Sequence, residues 1–165
     1  MGVCYTGIKD KKFFGERKYT VPMKNEDRTP KIGEVYMMKF EGTGSEQAGW
    51  RPALVFQNNV GNTYSPNVIM LPLTSKLKKS NQPTHVVVPA AGTGLARDSM
   101  VLCENPVSVS KDKLGKYLTT LPDEYMSKIA EAHILATSAI AFINPAVILA
   151  LWERASKLNS ASCPT

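Results

Sequence analysis

From Gly33 onward the chain is a series of short apolar runs cut by turn residues, and this rhythm excludes most folds before any motif is read. The runs are Glu34 to Phe40, Pro52 to Gln57, Asn67 to Leu73, Thr84 to Pro89 and Ser99 to Cys103. Each has the length of a strand, and Gly, Pro, Asn and Ser cluster in the gaps between them. Those gaps are too short for the crossover helices that a parallel βαβ arrangement needs. The spacing predicts five or more strands in one small antiparallel barrel or twisted sheet, an α+β fold that is mainly β.

Helix signals come late. Lys111 to Tyr117 reads as a short helical turn leading into a final edge strand at Leu118. Leu121-Pro122-Asp123-Glu124 then puts proline and two acids at a helix start, where a missing N–H costs nothing and carboxylates meet the positive end of the dipole. Met126, Ile129, Ala130, His133, Ile134 and Thr137 recur at helical spacing as one stripe. Asn144-Pro145 stops this helix and caps another that runs through Val147, Ile148, Leu151 and Trp152. The apolar stretch from Ile134 to Trp152 has roughly the length of a membrane span. Ser138 and the Asn-Pro pair interrupt it, so it reads as helical structure off the membrane, with no membrane partner.

Three segments follow. Residues 1–32 carry Lys9-Asp10-Lys11-Lys12, Glu16-Arg17-Lys18 and Lys24 to Arg28 with little to bury, and read as a flexible basic arm. Residues 33–143 form the folded domain. Residues 144–165 are a C-terminal helical extension and tail. The first 32 residues have no apolar core of the kind a secretory signal carries. At 165 residues the chain is sized for one domain with tails.

Twenty Lys and Arg against 14 Asp and Glu give a formal net charge of +6 and a sequence pI of about 9.2, which favours an anionic partner. Cys4, Cys103 and Cys163 are odd in number and widely spaced, with only His85 and His133 beside them. They suggest neither a disulfide frame nor a zinc site, and fit a reducing, cytoplasmic setting with no metal or other cofactor.

Two blocks hold the chemistry. Gly44-Ser45-Glu46-Gln47-Ala48-Gly49-Trp50-Arg51-Pro52 puts polar side chains and a permanent guanidinium ahead of a strand, and Leu71-Pro72-Leu73-Thr74-Ser75-Lys76 puts hydroxyls and a lysine at the end of another. If the strands are neighbours, Arg51 and Thr74 converge at one sheet edge, where an arginine fork and a hydroxyl can hold a phosphate. Taken singly, Arg51 can equally pair with Glu46 or Glu104, and Thr74 and Ser75 can simply close a strand-end turn.

These two blocks, with Gly33-Glu34-Val35-Tyr36 ahead and Gln57 to Pro66 between, resemble the MazF/PemK family of toxin endoribonucleases from about Gly33 to about Ile143. The resemblance implies an SH3-like barrel with a C-terminal helix, pairing as a homodimer, and a small acidic antitoxin protein as partner. It implies cleavage of single-stranded RNA at a short sequence without a metal, leaving a 2′,3′-cyclic phosphate and a 5′-OH. Arg51 and Thr74 are the implied catalytic pair. Ser45, Glu46 and Gln47 offer groups that read unstacked bases, while Ser75, Lys76, Lys78 and Lys79 follow Thr74 along a backbone path. Pro83-Thr84-His85 resembles a family segment beside the RNA groove, so His85 joins the RNA-binding set. Glu104-Asn105-Pro106-Val107-Ser108 departs from the family's Glu-Gln, aliphatic, Arg-Thr pattern. It leaves Glu104 and Asn105 as candidate base readers and requires Pro106 to sit at an edge or bulge. Two rival readings stay open: a non-catalytic RNA- or protein-binding barrel, and a gyrase-targeting toxin on the same fold.

Overall fold

The computed structural model describes residues 28–42, 48–77 and 81–160. Its strands are β1 (Glu34–Glu41), β2 (Ala48–Val55), β3 (Asn67–Thr74), β4 (His85–Val88), β5 (Ser99–Leu102), β6 (Val107–Ser110) and β7 (Leu114–Thr120). Its α-helices are α1 (Asn59–Tyr64), α2 (Asp123–Thr137) and α3 (Ile148–Ser160). All five anticipated strands are present. The short turn at Lys111–Lys113 is a 3₁₀ helix that leads straight into β7, the strand at one end of the sheet.

The seven strands form one antiparallel sheet in the order β4-β5-β3-β2-β1-β7, with β6 pairing β3 off this path. Among the described residues β4 and β7 are not bonded to each other, so the barrel expected from the sequence is an open, branched sheet. The branch lies on β3. Residues Asn67 to Met70 pair with β6, whereas Leu73 and Thr74 pair with β5. Pro72 falls between these two partners, where a residue without an N–H forfeits no ladder bond. Pro106 lies in the connector just ahead of β6, outside every ladder.

Alternation along the strands sorts the core into two layers. Val35, Leu54, Leu71, Leu73 and Val101 face α2, which contributes Ile129 and Ala132. Tyr36, Met38, Phe40, Ala53, Val55, Val68 and Met70 line the other face. The buried stripe of α2 is centred on Ile129 and Ala132, flanked by the half-buried Tyr125, Met126 and His133. Ile134 and Thr137, expected on that stripe, are exposed. The His133 ring is pinned instead, with Nδ1 2.8 Å from the Cys103 carbonyl and its edge against Phe56.

Glu34 opens β1 as a carboxylate 3% exposed. Its oxygens accept hydrogen bonds from the Tyr36 hydroxyl at 2.7 Å, the Lys31 N–H at 2.9 Å and the Arg28 guanidinium. Arg28 also lies over the Tyr117 ring at 4.5 Å. Burial, then the bond to Glu34, raises the Tyr36 phenol above its ordinary range.

The sequence reading passed over α1. Its start is set by Asn58, whose side chain accepts from the Gly61 N–H at 2.9 Å. Asn59 then joins both flanks of the domain: its carbonyl oxygen accepts from Ile32 N–H at 2.9 Å, and its amide donates to the Asn159 carbonyl at 2.8 Å. Asn144 caps the 3₁₀ turn Pro145–Val147 that leads into α3, as its sequence suggests. Every residue of α3 is exposed, Leu149 and Trp152 by about two thirds. Among the described residues no helix is long and apolar enough to cross a membrane.

Candidate functional site

The register of β2 and β3 decides whether the two sequence blocks meet. Ala53 is opposite Pro72, Leu54 opposite Leu71 and Val55 opposite Met70. The paired stretch ends at Ala53 and Pro72, and Arg51 and Thr74 each lie two residues beyond it, at the same end of the two strands. Met38 is the β1 partner of Arg51, and Met100 the β5 partner of Thr74. Arg51 shares its strand face with the buried Ala53 and Val55, and Thr74 shares its face with Met70. Both are half-buried at the end of that face, where the core gives way to solvent. The Arg51 Nε–H donates to the Ala48 carbonyl at 2.9 Å, which ties the guanidinium stem to its own hairpin. The Thr74 hydroxyl accepts from the Lys76 N–H at 3.2 Å, closing the strand-end turn, and Ser75 and Lys76 are exposed beside it.

A groove of about 590 Å³ opens on this same face. The buried Met38, Phe40 and Pro72 line it from below, with the exposed Glu104 and Asn105 and the side chain of Lys113 at its rim. Glu104 and His85, distant in sequence, are joined: His85 Nε2 is 2.8 Å from Glu104 Oε1. The His85 side chain is 4% exposed and that of Glu104 33%. The imidazole thus meets the groove through Glu104 rather than by presenting a ring face. Lys39 and Lys113 went unnoticed in the sequence; alternation at the end of β1 sets Lys39 opposite Trp50. Ser45, Glu46, Gln47, Lys78 and Lys79 lie outside the described residues. Cys103 is buried beneath this edge, and burial, followed by the Glu104 charge, pushes its thiol up to about 12. Among the described residues no three His, Cys, Asp or Glu side chains gather as metal ligands would.

An open, branched antiparallel sheet that carries an arginine and a threonine at the ends of two paired strands is the frame, and the sequence match gives its class. Residues 31–136 match the model of PemK-like, MazF-like toxins of type II toxin–antitoxin systems, and the chain belongs to that family. The match takes in every strand and most of α2, and leaves α3 outside. The chain is 40% identical over 113 residues to the endoribonuclease EndoA of Bacillus subtilis strain 168, covering 68% of this chain and 97% of that protein. It is 38% identical over 101 residues to the endoribonuclease MazF of Staphylococcus saprophyticus, covering 61% of this chain and 84% of that protein. A mycobacterial endoribonuclease solved in complex with its cognate antitoxin superposes with a TM-score of 0.56 at 28% identity, over 66% of this chain and 95% of that one. MazF from Deinococcus radiodurans shares the fold, with a TM-score of 0.59 at 24% identity, over 68% and 99% of the two chains.

Proposed function

We propose that this toxin is a metal-independent endoribonuclease that cuts single-stranded RNA, with Arg51 and Thr74 acting on the scissile phosphate. The observation that carries the reading is that the antiparallel pairing of β2 and β3 brings Arg51 and Thr74 to the same end of two neighbouring strands, with Pro72 of β3 lining the groove. In the reaction the ribose 2′-oxygen bonds to phosphorus and the bond to the 5′-oxygen breaks. One proton leaves the 2′-OH and one is taken up by the departing 5′-oxygen, so no water is consumed and the products are a 2′,3′-cyclic phosphate and a 5′-OH. Charge accumulates on the phosphoryl oxygens along the way. Arg51 binds that charge through the two-pronged donor fork of its guanidinium. Thr74 holds a third oxygen or the attacking 2′-oxygen in line.

Glu104 and Asn105 at the groove rim supply acceptor and amide groups for unstacked bases, and His85 holds the Glu104 carboxylate in place. Ser45, Glu46 and Gln47 are proposed to read bases from the neighbouring hairpin, while Ser75 and Lys76 follow the backbone. The toxin acts in the cytoplasm as a homodimer and is silenced by a small acidic antitoxin protein. The net charge of +6 and the antitoxin complex of the mycobacterial relative support that pairing.

The test is incubation of the protein with a long single-stranded RNA in EDTA, followed by mapping of fragment ends. Discrete cuts with cyclic-phosphate ends are expected, and Arg51→Ala is expected to slow them by about 10²–10³-fold. Intact RNA in the presence of folded wild-type protein would overturn the reading.

A further inference from the structure

A second cavity, of about 270 Å³, lies at the hairpin end of the sheet and is lined by neither Arg51 nor Thr74. Lys39, Glu41, Trp50, Asp112, Lys113 and Leu114 line it. Trp50 and Lys39 are direct partners across β1 and β2, so their side chains leave the same face of the sheet. Alternation sends the next residue, Arg51, to the other face. The cavity is therefore separate from the groove, yet the two share Lys39, Glu41 and Lys113 and so meet over one rim. Trp50 is 37% exposed, an open indole beside two lysines. At the rim, Lys113 Nζ is 3.4 Å from Glu41 Oε2, with both side chains more than half exposed. An ion pair so exposed is readily exchanged for a phosphate.

We propose that this cavity is a nucleobase subsite. A single-stranded RNA whose scissile phosphate sits at Arg51 crosses the shared rim, where Lys39 and Lys113 meet the intervening phosphate. The base of a flanking nucleotide then stacks on Trp50. The lining suits a base better than a peptide side chain or a bare anion. An indole face accepts any base. Glu41 and Asp112 offer carboxylate acceptors to exocyclic amino groups, and they offset the two lysines, so the cavity itself carries no excess positive charge for a lone phosphate. This inference rests on the endoribonuclease reading and adds to it an RNA-binding residue on the opposite sheet face.

The experiment uses the full chain and a single-stranded RNA containing the cleavage sequence, with a 2′-deoxy residue at the scissile position so that it binds without being cut. The chain has two tryptophans, and Trp152→Phe leaves Trp50 as the only indole reporter. RNA is expected to quench Trp50 emission along the same curve that fluorescence anisotropy of a labelled RNA gives for binding. Trp50→Ala is expected to weaken binding by roughly 5- to 150-fold, the worth of one stacked base, and Trp50→Phe to restore most of it. An unchanged emission with RNA bound, or equal affinity for Trp50→Ala, would overturn the subsite while leaving the nuclease intact. Failure of the wild-type protein to bind or cut any RNA would overturn both.

Discussion

Replacing Glu34 by alanine should be among the most costly single substitutions in the chain, and the cost can be worked from its surroundings. The carboxylate is 3% exposed and accepts from the Tyr36 hydroxyl, the Lys31 N–H and Arg28. Tyr36 is itself 2% exposed, so Glu34→Ala strands its hydroxyl in the core at about 1–3 kcal/mol. Loss of the Lys31 bond adds about 1 kcal/mol. The Arg28 side chain is 47% exposed, which limits its share to about 0–1 kcal/mol. The total is about 2–5 kcal/mol, a large part of the roughly 5–15 kcal/mol available to a domain. Tyr36→Phe removes one bond to a charged acceptor, about 1.5–3 kcal/mol, while the carboxylate keeps its other two donors. In the double variant no hydroxyl remains to be stranded, so the two costs should fall short of their sum by about 1–3 kcal/mol. Denaturant midpoints at constant m give all four corners of the cycle. A Glu34→Ala cost below about 1 kcal/mol, or a cycle additive within about 0.5 kcal/mol, would refute the reasoning.

Three further outcomes follow from the core. With Cys4 and Cys163 changed to serine, Cys103 should resist thiol reagents in the native state and react at the rate of global opening, since burial pushes its thiol up to about 12; rapid labelling of the folded protein would contradict this. Cys103 and Tyr36 both hold their protons in the folded state at pH values where the unfolded chain releases them. The stability they contribute is therefore complete below about pH 9 and is lost as pH rises toward 12; a denaturant midpoint flat from about pH 8 to 11 would contradict it. Gly94 has a φ of +73° and an added Cβ would sit 2.7 Å from Thr119 Oγ1, so Gly94→Ala should lower stability by about 1–3 kcal/mol in the same assay.

The β-rich architecture was legible because strands announce themselves locally: the apolar runs at Glu34, Pro52, Asn67, Thr84 and Ser99 each became a strand. Closure was not legible, since it depends on whether the end strands β4 and β7 meet, and no local pattern shows that β3 shares its second edge between β6 and β5. The Arg51–Thr74 pairing was half legible. Both residues stood out by type, but only the β2–β3 pairing brings them to the same end of two neighbouring strands. His85 and Glu104 each looked like a separate base reader, and their mutual bond needed the fold. On α2, a 3.6-residue period allows several stripes, and packing under β4 selected Ile129 and Ala132 over Ile134. The helix α1 hid in a polar run because its stability comes from the Asn58 cap rather than from an apolar face.

The most direct test of the central claim is a kinetic cycle on one RNA substrate, with wild type, Arg51→Ala, Thr74→Val and the double variant compared in single-turnover cleavage. If the two side chains act on the same phosphate, the double variant should be little slower than the worse single one, because each depends on the other's placement. Rate losses that multiply without coupling, or a Thr74→Val variant that cuts as fast as wild type, would contradict it.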